Sequence, residues 1–593
     1  MYPMVIAILL TLIPFLLVFC CKNRIYGFLS VFTTVVGFHL LLALVSQTFH
    51  VFNYPVIIVA HSIFAIVMLV VLVKNRTRFY ESVRAVSFRS MFRPINLIVL
   101  AAFCIIFFEL WSVHFNYTGT ISTINGYEQV TSYSNPYPIF SDEWVGIAFS
   151  NYAIASHSLP LANPLFKNSF FFTFLMPFHS MIAEVFLFLG SAPLYTYAYL
   201  AIFVGMIICF LVYLCLRSYD VSQLYSVLTV LFLPFLANGT NMPGLWYVIP
   251  VSGGLIFFFV CIAADRFEKN ILIYIAGIIS LVLYPPIIIF VGSLFVARYI
   301  PRTKKIFDNK YISGGLVVFF SASFIIYFSN KFFFDNYIYR TNLVGGIPSF
   351  PLWIIVPWFL LPFFAIGLWN LFKRKAYPVL ISIAVCFIFW ISYDFTMNVF
   401  VIDYPRVVFT GSILIIFVTG FGLEWFGKKI TAYLNINRQT YVYVSSIIMI
   451  LCFCIISFSY TSLSPWNKLV LTTYDVKGNS NIIGPTAPSD QYLTLDDIRL
   501  FRNIHNKVIV TVPWKGLVIG VAEDDYPLQS KGSEITNNIL FTQDFINNDC
   551  TVKNFWSRYF NISYVYLAPF DCPDHFITEG TSSEGLVLYK YIQ

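Results

Sequence analysis

Charge is what this sequence has least of. Only 11% of its 593 residues are Asp, Glu, Lys or Arg, and 59% are hydrophobic. A soluble domain carries about 25% charged residues, so a single water-soluble globule is excluded. The chain also lacks a GxxxxGK[ST] sequence and a GxGxxG sequence. Without either phosphate-cradling loop, nucleotide-driven chemistry has no support. No CxxC pair occurs among the 11 cysteines, so no zinc ribbon is indicated. No nucleic-acid partner is expected. The first apolar run, Met4–Cys20, has no basic segment before it and no small-residue cleavage site. It therefore reads as a helix rather than a signal peptide.

What fills the sequence instead is repeated apolar runs near the length that spans a bilayer, together with 65 Phe and 38 Tyr. Fourteen such runs are expected to be transmembrane helices, from 3–20 to 442–460. They include 169–189, 221–237 and a proline-interrupted run at 271–299, read as one kinked helix. A hairpin there would upset the alternation of sides unless another span were lost. The loop 74–94 holds Lys74, Arg76, Arg78, Arg84, Arg89 and Arg93 against Glu81 alone, which marks it as cytoplasmic. "PRTKK" at 301–305, "KRK" at 373–375 and "GKK" at 427–429 fall on the same side. The N-terminus, loops 113–168 and 330–350, and residues 461–593 then lie outside. The centres of the spans are nearly free of charge, which argues against an ion-coupled transporter.

Residues 461–593 differ in kind, holding 14 of the 28 acids. "KVIVTV" (507–512), "SYVYLAP" (563–569) and "GLVLYKY" (585–591) read as strands, and 494–504 as a helix capped by Thr494. This is an α/β domain outside the membrane. Cys550 and Cys572 are its cysteines, and a disulfide between them suits an oxidising compartment. "EDD" at 523–525 reads as an acidic turn.

Asp142 and Glu143 stand out in "FSDEWVGIAFSNYAIASHSLPLANPLFKN" (140–168). The segment has the character of an amphipathic helix along the outer surface, with both acids at its start. Acids there can bind a metal, act as a general base, or only cap the helix. The order of features narrows the choice. A span, an outer loop with an acidic pair, Leu159-Pro160, Asn163-Pro164 and then a helix opening near His179 resembles the first module of the GT-C glycosyltransferases. That superfamily includes protein O-mannosyltransferases and the aminoarabinose transferases of lipid A. The resemblance covers roughly 95–300, and the later spans and outer C-terminal domain match in architecture. Two departures are the three helices in 1–94 and the polar stretch 116–138.

The resemblance implies three parts: the additional helices and basic loop of 1–94, a catalytic membrane module at 95–460, and the extracytoplasmic domain at 461–593. It implies a donor sugar on a polyprenyl phosphate, an acceptor hydroxyl on a glycan, lipid or protein, and transfer with inversion. Asp142 would be the base and Glu143 its support. Arg406, Arg340 and Lys167 are the candidate phosphate ligands, because Arg offers a fixed fork of donors. Asp394, His179 and His157 are candidate supporting residues. A divalent metal is left open, since the family contains dependent and independent members. A bacterial cytoplasmic membrane is the expected location. An O-antigen-type polymerase or ligase, and a flippase or other transporter, are the competing readings.

Overall fold

The computed structural model describes residues 2–84, 92–123, 126–138, 140–165, 174–236, 244–267, 270–307, 356, 358–396, 401–433, 493–530 and 541–592, with isolated positions in 440–451. The membrane part is helical: α1 (Tyr2–Phe15), α2 (Arg24–Thr48), α3 (Tyr54–Lys74), α4 (Arg76–Arg84) and α5 (Pro94–Phe115). A hairpin follows, β1 (Tyr117–Thr123) and β2 (Gly126–Tyr133), and then α6 (Ser141–Ser156), α7 (Met176–Leu189) and α8 (Pro193–Ser218). The series continues through α9 (Gln223–Val230), α10 (Pro250–Asp265), α11 (Asn270–Leu283), α12 (Ile288–Phe307), α13 (Leu361–Lys373), α14 (Tyr377–Thr396) and α15 (Tyr404–Tyr433). Among the described residues, six helices are long and apolar enough to cross a membrane, and six more apolar helices are shorter.

Local signals fix many of the helix starts. The side chains of Asn23 and Asn53 accept hydrogen bonds from the backbone N–H groups of Tyr26 and Val56, satisfying donors that the first turn leaves open. Proline opens α3, α5, α8 and α10, where its missing N–H costs nothing.

Ion pairs mark the two ends of the bundle. At one end Arg298 pairs with Asp265, Arg374 (3.2 Å) and Lys428 (3.1 Å) pair with Glu424, and Arg266 lies 3.7 Å from Asp220. At the other end Arg406 meets Asp142 and Asp403. These two belts show the direction of each helix, and two runs differ from the sequence expectation. The 271–299 run is two helices broken at Pro285-Pro286. Asp265 before them pairs with Arg298 of α12 at the basic belt, whereas Tyr284 between them lies within electrostatic reach of Arg406 and Asp142. A proline pair removes two backbone donors in succession, which ends a helix outright.

The 169–189 run also departs from a simple crossing. α7 starts beside Asp142, and its C-terminal turn touches the N-terminus: a Cβ on Gly190 would meet Pro3 at 2.8 Å and Tyr54 at 3.7 Å. Gly190 sits at φ 62°, the left-handed cap conformation that glycine adopts without strain. Both ends of α7 therefore lie at the Asp142 end. One extra crossing and one lost crossing cancel, so α15 still enters from the Asp142 end. The 221–237 run is an eight-residue helix with a short 3-10 turn at Leu233–Phe235. The runs at 313–329 and 442–460 lie outside the described residues or nearly so.

The C-terminal domain contains α16 (Leu495–Phe501), β3 (Val508–Thr511), α17 (Pro513–Glu523), β4 (Tyr526–Pro527), α18 (Phe541–Asn547), α19 (Cys550–Tyr559), β5 (Tyr564–Leu567), β6 (Phe576–Thr581) and β7 (Val587–Tyr591). The sheet order is β4-β3-β5-β7-β6. β3 runs parallel to β4 and β5, and β7 antiparallel to β5 and β6. Thr494 and Asp497 cap α16 reciprocally at 3.1 and 2.8 Å, the arrangement that closes two open donors at once. Cys550 and Cys572 form a disulfide. Asp524 ends α17 in the left-handed region, so the 523–525 acids do form a turn. The next residue, Asp525, is buried, and burial pushes its carboxyl up to about 7. The domain docks on the membrane part: Leu493, Leu517, Val518 and Val521 join the same apolar core as α6 and α15.

Candidate active site

Asp142 and Glu143 occupy the first turn of α6, where the helix dipole favours negative charge. Their environments diverge from there. Glu143 is fully buried. One of its oxygens accepts the N–H of Phe140 at 3.1 Å and the other accepts the N–H of Val248 at 2.8 Å. It closes its own helix start and pins the segment before α10 against it. Asp142 is about one-fifth exposed and faces the guanidinium of Arg406 at 2.6 Å.

Arg406 lies 264 residues along the chain, in the first turn of α15. A cation at a helix start opposes the dipole. Two carboxylates offset that, Asp142 and, at 2.9 Å, Asp403. Each takes one terminal nitrogen of the fork, so the planar group is held in a fixed plane. Tyr404 stacks on Tyr393 at 3.7 Å, which locks the end of α14 to the start of α15.

His179 opens α7 and lies on the same acid site. Its ring stacks on Phe149 of α6 at 5.1 Å, and it lies within electrostatic reach of Asp142. Its Nδ1 is buried and has no hydrogen-bond partner among the described residues. Gly146, one turn beyond Asp142, lets this happen. A Cβ there would lie 2.9 Å from the Tyr197 hydroxyl and 3.7 Å from His179 Nδ1. The Tyr197 hydroxyl donates to the carbonyl of Val248 at 2.7 Å, beside the N–H that Glu143 holds.

The other sequence candidates fall elsewhere. His157 caps the far end of α6 at φ 55°, about 22 Å along the helix axis from Asp142. Its Nδ1 is 2.5 Å from the carbonyl of Phe52, so it ties α6 to the turn between α2 and α3. Asp394 lies in the last turn of α14, next to the Tyr393–Tyr404 stack, and its side chain is outside the described residues. Lys167 and Arg340 are outside them altogether. Tyr197 of α8 and Tyr284, beside Pro285-Pro286, also reach the acid site; neither was a site candidate from sequence, because both come from parts of the chain distant from Asp142.

A separate cleft of about 680 Å³ lies between α6, the α7–α8 turn and the C-terminal domain. Asn151, Tyr152, Asn163, Ser191, Asn506 and Tyr526 line it; Asp142 and Arg406 do not.

No protein-family model and no curated protein sequence matches the chain. Among solved structures the chain is similar to the oligosaccharyltransferase of Archaeoglobus fulgidus. The crystal structure of that protein tethered by a disulfide to an acceptor peptide containing the NVT sequon covers 85% of this chain and 75% of its own, at 12% identity and a TM-score of 0.48. The archaeal oligosaccharyltransferase AglB from Archaeoglobus fulgidus, in complex with an inhibitory peptide and a dolichol-phosphate, gives 86%, 75%, 13% and 0.46. The oligosaccharyltransferase of the first comparison, in complex with Zn and sulfate, gives 84%, 73%, 12% and 0.44.

Proposed function

We propose that this chain is a GT-C-type membrane glycosyltransferase that moves a sugar from a polyprenyl phosphate to an acceptor hydroxyl, with inversion, on the extracytoplasmic side. The observation that carries the reading is the Asp142–Arg406 pair. A carboxylate and a guanidinium from remote parts of the chain meet at one end of the bundle, partly open and beside a docked outer domain. The basic belt lies at the opposite end, which suits a cytoplasmic face there.

The chemistry follows from what each group can do. An acceptor hydroxyl is a poor nucleophile until a base takes its proton. Asp142 accepts that proton as the acceptor oxygen bonds to the anomeric carbon. The bond from that carbon to the phosphate oxygen breaks on the opposite face, through an oxocarbenium-like transition state. The leaving lipid phosphate gains charge, which Arg406 stabilises. In the resting pair the two groups neutralise each other. An arriving phosphate competes for the guanidinium and so frees the carboxylate to act as base. Asp403 keeps the guanidinium oriented throughout. Glu143, spent on two backbone N–H groups, is a positioning residue for the helix start that presents Asp142.

Both Glu143 oxygens are directed to backbone donors and Asp142 faces a guanidinium, so the step is derived from these side chains alone. Deletion of the gene should accumulate the polyprenyl-phosphate sugar, and wild-type protein but not Asp142→Asn should clear it. Absence of that lipid in the deletion strain would sink the reading.

A further inference from the structure

A second polar cluster lies inside the membrane part, away from the acid site. The Glu184 carboxylate of α7 is fully buried. Its two oxygens face His39 Nδ1 of α2 at 2.6 Å and His61 Nε2 of α3 at 2.7 Å. Nine residues separate His39 from the end of α2 and seven separate His61 from the start of α3, so the cluster lies about 10–14 Å below the α2–α3 turn. No Lys or Arg pairs with Glu184 among the described residues. Two neutral imidazoles and a carboxylate would leave one net negative charge at that depth, which is expensive without a cation.

We propose that His39, His61 and Glu184 bind a borderline divalent ion of the Zn(II), Co(II) or Ni(II) type, which staples α2 and α3 to α7. The three ligand atoms, one from each helix, all lie within 4.8 Å of one another. Two imidazole nitrogens and a carboxylate oxygen are the ligand set of such ions, not of Mg(II) or Ca(II). Bonds near 2.1 Å in a tetrahedron place ligand atoms about 3.4 Å apart, so the nitrogen–oxygen pairs, at 2.6 and 2.7 Å, open by about 0.7–0.8 Å to admit the ion. A single proton would be served by one imidazole. The second, from another helix and aimed at the other oxygen, completes a three-ligand set.

The surroundings suit a fixed ion. Phe188 stacks on His61 at 3.8 Å and Phe38 meets its edge at 5.1 Å, an apolar shell that orients the ring and limits water. Gln47 Nε2 donates to the carbonyl of Ser180 at 3.1 Å, a second tie between α2 and α7. Because Glu184 and His179 share α7, an ion held by Glu184 also sets how deeply His179 is seated beside Asp142. The proposal does not depend on the glycosyl-transfer reading.

The test uses full-length protein with a tag free of histidine, stripped with a chelator and titrated with Zn(II), Co(II), Ni(II) or Mg(II). About one equivalent of Zn(II) or Co(II) per chain should bind, raise the thermal transition and, for Co(II), give a tetrahedral absorption spectrum. Mg(II) should do none of these. Glu184→Gln should bind at least about tenfold more weakly, and His61→Cys, which keeps a ligand, should retain binding. No Zn(II), Co(II) or Ni(II) retained by wild type would overturn the proposal in favour of a proton held by the triad. So would binding that is unchanged in Glu184→Gln. The wild-type titration stands even if a variant fails to fold.

Discussion

Replacing Asp142 by Asn separates catalysis from architecture. Asn keeps an oxygen that can accept from the Arg406 terminal nitrogen, and Asp403, 2.9 Å from the other nitrogen, continues to pair the guanidinium. The Asp142–Arg406 pair is about four-fifths buried, but Asn keeps the hydrogen bond and Asp403 keeps a charge on the guanidinium, so exchanging a charged for a neutral acceptor should cost about 1 kcal/mol of stability. The catalytic loss is larger. General-base help is worth about 10²–10⁴ in rate, or about 2.7–5.4 kcal/mol of barrier. Glu143→Gln should behave in the opposite way. Its oxygens accept from Phe140 and Val248 in full burial, and a Gln amide turns an N–H group toward one of those donors. That costs about 1–3 kcal/mol of folding and leaves chemistry nearly intact. The assay is sugar transfer per folded molecule, with folding measured by a thermal melt in detergent. Asp142→Asn should melt close to wild type and transfer at least about a hundredfold more slowly. Glu143→Gln should melt lower and transfer at near the wild-type rate. Normal turnover in folded Asp142→Asn, with the loss in Glu143→Gln instead, would refute the assignment of roles.

Arg406→Ala should lower donor turnover by about 2.7–4 kcal/mol, by analogy with a lost oxyanion donor, whereas Lys375→Ala at the opposite end should not; equal activities would remove Arg406 from the site. Alkaline phosphatase fused after Gly190 or at the C-terminus should be active, and fused after Phe267 or Arg374 inactive. The reverse pattern at 190 and 267 would restore the simple alternation of fourteen spans. Asp525 is a carboxyl whose folded pKa of about 7 lies above its ordinary value of 3.8. Its stabilising protonation is fully present below about pH 4, and it is lost as pH rises through about 7. Asp525→Asn, which keeps an acceptor for the Lys507 N–H, should therefore raise the thermal transition at pH 8 and change it little below pH 4; equal shifts at both would show that burial does not shift this group.

The acid site was legible because charge is scarce. In a chain this apolar, Asp142 and Arg406 at span ends are conspicuous, and the structure brings them within 2.6 Å. The different surroundings of the two acids were not legible, since Glu143 is held by the N–H of Val248, 105 residues away. The C-terminal strands were readable from their alternation and length: 507–512, 563–569 and 585–591 contain β3, β5 and β7. Hydropathy could not tell that α7 has both ends on one side, because apolarity reports immersion and not direction. The Pro285-Pro286 break was visible, but a kink and a reversal share the same sequence. The centres of the spans are nearly free of charge, and the buried acids Glu109 and Glu184 lie toward the ends of the 95–112 and 169–189 runs. His39, His61 and Glu184 each interrupt an apolar run, and that interruption was a signal available in the sequence.

The measurement that bears most directly on the account is transfer of radiolabelled sugar from a polyprenyl phosphate by membranes containing this chain. Wild type should move label from the lipid fraction into an acceptor with the anomeric configuration inverted, and Asp142→Asn and Arg406→Ala should each leave it on the lipid. Label that stays on the lipid with wild type, or that transfers equally well with both variants, would contradict the account.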